Sequence, residues 1–288
     1  MRGLRPFGGY SSYMSCTAFV LGGGGLLGAA EAGMARALLE SGVRPDVVCG
    51  TSVGAINGAA LAADPTPGGV KRLLGMWDAL ANEGMLDGSV IRRVAEVVRR
   101  RTSLHGNGAL RRLLCEQLPA HTFEELAVPF ECVAASIEQA REHWFSTGDL
   151  IEPVLASCAL PGVFPPVRIG EEHFFDGGLV NSIPLDRAVQ HGADIIWVLH
   201  VGRLEEELAA PRFLWEVGFV AFEISRRHRF HGDLERVGSG VTVHVLPTGL
   251  PQRPAAKWSN LRYRDTRRIA RRADLAYEAT RDYLEALR

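Results

Sequence analysis

The 288-residue sequence lacks the long apolar runs and the charge imbalance that mark several classes of protein. No run approaches the roughly 18 consecutive apolar residues that a membrane-spanning helix needs. The formal net charge is only −1, which argues against nucleic acid as a partner, because neutralising phosphates requires a concentrated basic surface. The five cysteines are scattered, without Cys-x-x-Cys spacing. The sequence therefore predicts neither a disulfide framework nor a metal site.

The N-terminal residues also lack the apolar core of a signal peptide. Residues 1–16, which contain glycine, serine and tyrosine, predict a flexible tail. From residue 17 onwards no linker, repeat or low-complexity segment interrupts the chain. We therefore expect one domain over residues 17–288, in a chain that stays in the cytoplasm.

The first ordered part of the sequence alternates between strand and helix patterns. Thr17–Leu21 is a short apolar run that ends in glycines, as buried parallel strands often do. Residues 29–40 have helical spacing, residues 46–49 form a second apolar run, and residues 55–63 are rich in small helix-forming residues. This order predicts an α/β protein with three layers, α/β/α, in which the central layer is a mainly parallel sheet.

Glycine is abundant, with 32 residues, and four of them follow one another at Gly22–Gly25. Gly23–Gly28 fits the Gly-x-Gly-x-x-Gly pattern between a strand and a helix. Such a loop presents backbone N–H groups beside a helix N-terminus and so favours a negative charge. That charge can be a pyrophosphate or a transient oxyanion, so a non-catalytic nucleotide-binding module is one interpretation of the loop.

The second strand pattern runs into Gly50-Thr-Ser-Val-Gly54, a Gly-x-Ser-x-Gly motif between a strand and a helix. This context is typical of a nucleophile elbow, in which a tight turn lifts the serine hydroxyl into the open. Ser52 is therefore the candidate nucleophile. A nucleotide-binding unit would instead favour an acidic residue near this strand end.

A serine nucleophile needs a base, and the sequence offers two kinds. Asp176 precedes two glycines, a pattern that a plain tight turn also explains. Among the histidines, His200 follows a strand pattern and is the best candidate, ahead of His231 and His244. A Ser-His-Asp esterase that uses His200 therefore stands as an alternative.

Several of these motifs, taken in order, resemble the patatin-like phospholipase family. They are the glycine loop, Gly50–Gly54 and Asp176–Gly178. The stretch Ala156–Pro166, before the Asp-Gly motif, is also similar to that family, as is Asp176–Pro184. The resemblance extends over about residues 17–285.

The resemblance implies a serine acyl hydrolase with a Ser-Asp dyad and no cofactor or metal. Ser52 would attack, Asp176 would accept its proton, and an acyl-serine intermediate would form on lipid or lysophospholipid esters. The implied oxyanion hole consists of backbone amides of Gly23, Gly24, Gly25, Leu26 and Val53. The glycines that would support these motifs are Gly28, Gly50, Gly54, Gly177 and Gly178.

Two further features concern the lipid itself. The family often carries Arg or Lys where this chain has Leu27, so the resemblance implies weaker recognition of a phospholipid head group than of the ester. The aromatic segment 213–222, followed by basic residues up to 229, favours a core helix whose basic end suits the helix dipole. Peripheral contact with a membrane surface is the alternative for this segment.

Overall fold

The computed structural model of the protein describes residues 15–24, 27–82, 106–201, 204, 207–250 and 266–288. The predicted tail at 1–16 falls on residues 1–14, outside this part, and on Ser15 and Cys16, which precede the first strand. The strands are β1 (Thr17–Leu21), β2 (Val47–Thr51), β3 (Phe130–Ser136), β4 (Arg141–Phe145), β5 (Val167–Ile169), β6 (Glu172–Asp176), β7 (Ile195–Leu199) and β8 (Thr242–Val245). The α-helices are α1 (Ala29–Glu40), α2 (Val53–Ala63), α3 (Pro67–Asn82), α4 (Gly108–Gln117), α5 (Ile151–Ser157), α6 (Leu185–Gln190), α7 (Leu214–Arg236) and α8 (Thr266–Ala286).

All of these strands belong to one mixed sheet with the order β5-β6-β3-β2-β1-β7-β8, and β4 pairs with β3 beside this path. The five central strands β3, β2, β1, β7 and β8 are parallel. The strands β4, β5 and β6 form an antiparallel extension. The predicted α/β class with a mainly parallel central sheet is therefore confirmed.

Helices cover both faces of the sheet because the central strands bury side chains on each face. Phe19 and Leu21 of β1 pack on the face that carries α1 to α5 and α8. Ala18 and Val20 alternate with them and point to the opposite face, where α6 and Phe230 of α7 pack. This arrangement gives the three predicted layers.

Candidate functional site

Ser52 lies at a sharp turn between β2 and α2. Its backbone angles are φ 55° and ψ −121°, a conformation that a non-glycine residue rarely adopts. Strain of this kind costs on the order of 1–3 kcal/mol and persists only where the surrounding structure fixes it. A Cβ on Gly50 would lie 2.4 Å from the Gly54 carbonyl oxygen, and one on Gly54 would lie 2.3 Å from the Leu21 oxygen. The two motif glycines thus allow β1, β2 and α2 to approach closely enough to form the turn.

The register of the sheet brings Asp176 to this turn. Strand β4 occupies one edge of β3 from Cys132 to Ser136, so β2 and β6 must share the other edge. On that edge Thr51, the last residue of β2, is opposite Val133, and Asp176, the last residue of β6, is opposite Ala134. The C-terminal ends of β2 and β6 therefore meet head to head.

The Ser52 hydroxyl donates a hydrogen bond to Asp176 Oδ2 at 2.6 Å. The other carboxylate oxygen, Oδ1, accepts the Gly178 N–H at 2.7 Å. Ser52 is 9% exposed and Asp176 only 3% exposed, so the carboxylate lies behind the hydroxyl. This geometry allows Asp176 to take a proton from Ser52 without an intervening histidine.

Burial raises the pKa of Asp176 to about 6, although the hydrogen bonds from Ser52 and from the Gly178 N–H lower it. A carboxylate with such a pKa is ionised at neutral pH and is a stronger base than an exposed aspartate. General-base catalysis works best when the pKa lies close to the working pH. The electrostatics of the site therefore suit proton transfer.

The two glycines after Asp176 form a short 3₁₀ turn, Gly177–Leu179. A Cβ on Gly177 would lie 2.1 Å from the Val133 carbonyl oxygen. A Cβ on Gly178 would lie 2.7 Å from the Phe222 ring of α7. The glycines thus let β3 and α7 pack against the turn that carries the carboxylate.

The glycine loop runs beside the nucleophile. The Gly22 N–H donates to the Leu199 carbonyl at 2.9 Å, and the Gly23 N–H donates to the Ser182 carbonyl at 2.8 Å. A Cβ on Gly23 would lie 3.4 Å from Ser52 Cβ, which measures how near the loop comes. Of the other predicted oxyanion-hole residues, Gly24 is exposed, whereas Gly25 and Leu26 lie outside the described residues.

Val53, the remaining predicted contributor, is the first residue of α2. The first N–H groups of a helix have no acceptor within the helix, so they can serve an oxyanion next to Ser52. A Cβ on Gly28, where the loop enters α1, would lie 2.2 Å from a Val53 methyl group. Leu27, where the family often has a cation, packs against the hydrophobic core.

A buried polar network behind the loop has no counterpart in the sequence analysis. The Asn57 amide of α2 donates to the Gly28 carbonyl at 2.9 Å and to the Glu31 carboxyl at 2.7 Å, and it accepts the Trp77 indole N–H at 2.9 Å. Burial raises the pKa of Glu31 well above its usual range, which favours the protonated acid. The network joins the end of the glycine loop to the helix that follows Ser52.

The candidate histidines occupy other positions. His200 is buried directly after β7, and a Cβ on Gly22 would lie 3.6 Å from its Cβ. His244 stacks on Trp197 with ring centroids 4.1 Å apart and lies 3.0 Å from the Tyr283 hydroxyl, while His231 is exposed. The hydrogen bond of the Ser52 hydroxyl goes to the carboxylate of Asp176.

The residues that the structure describes contain no group of three or more His, Cys, Asp or Glu side chains that could hold a metal ion. None of their helices is both long enough and apolar enough to cross a membrane.

Together, the parallel sheet, the strained serine between strand and helix, and the aspartate bonded to it describe an α/β protein with a candidate serine-aspartate site. The family model for patatin-like phospholipases matches residues 19–189, which contain both Ser52 and Asp176. The chain belongs to the patatin-like phospholipase family.

Two curated relatives are similar to part of the chain. Lysophospholipase nte1 of Aspergillus terreus is 29% identical over 191 residues, which is 65% of this chain and 12% of that protein. Patatin-like phospholipase domain-containing protein 7 of Mus musculus is 30% identical over 191 residues, or 66% of this chain and 14% of that protein. The chain thus spans only a small part of the length of these relatives.

A solved structure supports the fold independently of close sequence similarity. The crystal structure of VipD from Legionella pneumophila matches with a TM-score of 0.50 at 15% identity. The match covers 94% of this chain and 67% of that one.

Proposed function

We propose that the protein is a serine acyl hydrolase that cleaves lipid acyl esters, as an esterase, phospholipase A or lysophospholipase. The observation that carries this proposal is the 2.6 Å hydrogen bond from the Ser52 hydroxyl to Asp176 at a strained elbow. Family membership and the names of the relatives support a lipid ester as substrate.

The proposed reaction begins when Ser52 Oγ attacks the ester carbonyl carbon while its proton passes to Asp176 Oδ2. The carbonyl oxygen becomes an oxyanion, which the Val53 N–H and the backbone of the glycine loop from Gly24 onwards stabilise. Since the Gly23 N–H donates to Ser182 in this structure, we assign it to shaping the loop.

When the carbonyl re-forms, the ester C–O bond breaks and the alcohol leaves with the proton held by Asp176. The acyl group is then bonded to Ser52 Oγ. Water attacks this acyl-serine, gives a proton to Asp176, and releases the fatty acid as Ser52 recovers its proton. The same carboxylate thus acts as base and acid in each half of the reaction.

The apolar side chains around the site suit an acyl chain. Among the described residues, Leu160 and Leu179 are large exposed apolar side chains near the dyad in the chain. Leu160 follows Ala159, whose carbonyl accepts the Asp176 N–H, and Leu179 is three residues after Asp176. An uncharged acyl chain as ligand also agrees with the nearly neutral net charge of the protein. We infer that these leucines form the rim over which the acyl chain enters.

Helix α7 carries exposed apolar side chains close to the candidate site. Phe222 faces the Gly178 turn, whereas Val217 and Ile224 lie on the opposite side of the helix. These two side chains and Phe213, which directly precedes the helix, are about half exposed. An exposed apolar stripe on a helix beside the site is typical of contact with a lipid surface. We propose that this stripe rests on lipid aggregates while ester bonds enter the site, which is the peripheral-contact alternative for segment 213–222; Phe230, further along the same helix, packs in the core.

The catalytic proposal is tested by assaying p-nitrophenyl esters and lysophospholipids with wild type, Ser52→Ala and Asp176→Asn. Both variants should lose turnover while circular dichroism shows an unchanged fold. His200→Gln serves as the matched control and should keep turnover. Loss of activity in His200→Gln with retention in Asp176→Asn would favour the histidine alternative instead.

The lipid-surface proposal is tested by sedimentation with phosphatidylcholine vesicles. Val217→Glu and Ile224→Glu should reduce binding, whereas Leu287→Glu, which changes an equally exposed leucine directly after α8, should not. All three variants should hydrolyse a dissolved short-chain ester at the wild-type rate. Equal vesicle binding by all three would contradict the assignment of the stripe.

A further inference from the structure

Three consecutive residues at the end of α5 contact both members of the dyad. The Ser52 N–H donates to Ser157 Oγ at 2.8 Å, and Cys158 Sγ donates to the Ser52 carbonyl at 3.1 Å. The Asp176 N–H donates to the Ala159 carbonyl at 3.0 Å. We call Ser157–Ala159 the dyad clamp, since it holds the nucleophile through two side chains and the base through its backbone.

The clamp acts on the strained part of the elbow. Ser52 has positive φ and its N–H is enclosed, so the amide needs an acceptor that the strand and the helix do not supply. Ser157 Oγ is that acceptor, and Ser157 itself is fully buried. With its N–H turned to Ser157, Ser52 presents its side chain to Asp176.

We propose that Ser157 and Cys158 are positioning residues, which set the distance and orientation between Ser52 Oγ and Asp176 through the Ser52 backbone. This inference rests on the proposed serine hydrolase function. It adds a role for a segment that supplies no reacting atom.

Ser157 is expected to contribute more than Cys158 to the positioning of Ser52. Ser157 provides the acceptor for the Ser52 N–H, so its loss leaves a buried donor unpaired. Cys158 contributes less because a thiol is a weak donor. In addition, the Ser52 carbonyl also accepts the Ala55 N–H at 2.8 Å and the Ile56 N–H at 3.3 Å.

The first experiment compares Ser157→Ala with Ser136→Ala in hydrolysis of a dissolved p-nitrophenyl ester. Ser136, the last residue of β3, is also a buried serine: its hydroxyl donates to Glu172 at 2.8 Å and accepts the Gln139 N–H at 3.2 Å, and it lies opposite Phe174 and not opposite Asp176. Ser157→Ala should lower kcat on the order of 10²-fold, the effect of a small misplacement of reacting groups, with KM nearly unchanged. Ser136→Ala should leave both constants close to wild type.

The second readout is the pH profile, which a loss of stability alone would not move. The Ser52 hydroxyl helps to keep the pKa of Asp176 from rising further, and the Gly178 N–H does the same. The thiol of Cys158 also faces this carboxylate, but burial raises its pKa well above the usual range, so it stays neutral. Ser157→Ala should therefore shift the acid limb of kcat to higher pH, and Ser136→Ala should not.

A third pair of variants keeps the proposal testable if Ser157→Ala does not fold. Cys158→Ala should lower kcat about two- to fivefold, as expected for the loss of a weak S–H···O bond. Cys158→Ser, which retains a donor, should restore most of it.

Wild-type kcat and an unshifted acid limb in Ser157→Ala would overturn the clamp. So would equal activity of Cys158→Ala and wild type. These outcomes differ from failure of the proposed function, which would appear as undiminished ester turnover in Ser52→Ala.

Discussion

Lowering the pH from about 8 to about 5 is expected to reduce ester hydrolysis about tenfold, because the proposed base, Asp176, must be ionised to accept the serine proton. Burial raises the pKa of this carboxyl from 3.8 to about 6. At one pH unit below its pKa only about one group in eleven is ionised, whereas nearly all are ionised at pH 8. An exposed aspartate would instead stay active down to about pH 4.

The assay is kcat/KM for a dissolved ester across this pH range, since that ratio reports the free enzyme. A histidine base would also give an acid limb near neutrality, so two controls are needed. The limb should persist in His200→Gln. It should also move little with temperature, because carboxyl ionisation carries a small enthalpy whereas that of imidazole is large.

A limb near pH 4 would refute the conclusion that burial tunes Asp176. A limb that vanishes in His200→Gln, or that moves strongly with temperature, would refute the assignment of the base to a carboxylate.

Three further predictions concern stability. Because the pKa of Asp176 is raised on folding, the contribution of this carboxyl to the free energy of unfolding is complete below about pH 4 and is lost as the pH rises through about 6. Asp176→Asn should therefore raise the free energy of unfolding at pH 7 by up to about 3 kcal/mol over wild type, measured by urea unfolding. No increase would contradict the raised pKa. Gly54→Ala should prevent folding, since its Cβ would lie 2.3 Å from a backbone oxygen, whereas Gly75→Ala, an open position in α3, should stabilise the protein by about 1 kcal/mol in the same titration. Asn57→Ala should cost about 3 kcal/mol by leaving buried partners unpaired, and a loss below about 0.5 kcal/mol would contradict the importance of that network.

The elements that the sequence predicts well are those with a strong local pattern. The strand Thr17–Leu21 and the helix Ala29–Glu40 have the predicted bounds because an apolar run and a helical repeat mark them directly. The sharp turn at Ser52 can be predicted equally well, since glycines on both sides of a serine between strand and helix mark a tight turn. Short elements such as β5 and α6 were not predicted, because three to six residues hold too little periodicity.

The parts of the site that sequence reasoning missed depend on long-range contacts. Asp176 was named as the candidate base, but the register that brings it to Ser52, with β2 and β6 sharing one edge of β3, is one that no local pattern reveals. Ser157 belongs to a stretch that the sequence analysis linked to the family, but its bond to the Ser52 N–H spans more than a hundred residues. Asn57 lies within a helix of small apolar residues, where a single amide was the one available signal.

The most direct test of the central claim is covalent labelling with a fluorophosphonate probe, followed by mass spectrometry of the labelled peptide. The Ser52–Asp176 assignment predicts labelling of wild type on Ser52, slower labelling of Asp176→Asn, and none of Ser52→Ala. Labelling that persists in Ser52→Ala, or a labelled peptide that does not contain Ser52, would contradict it.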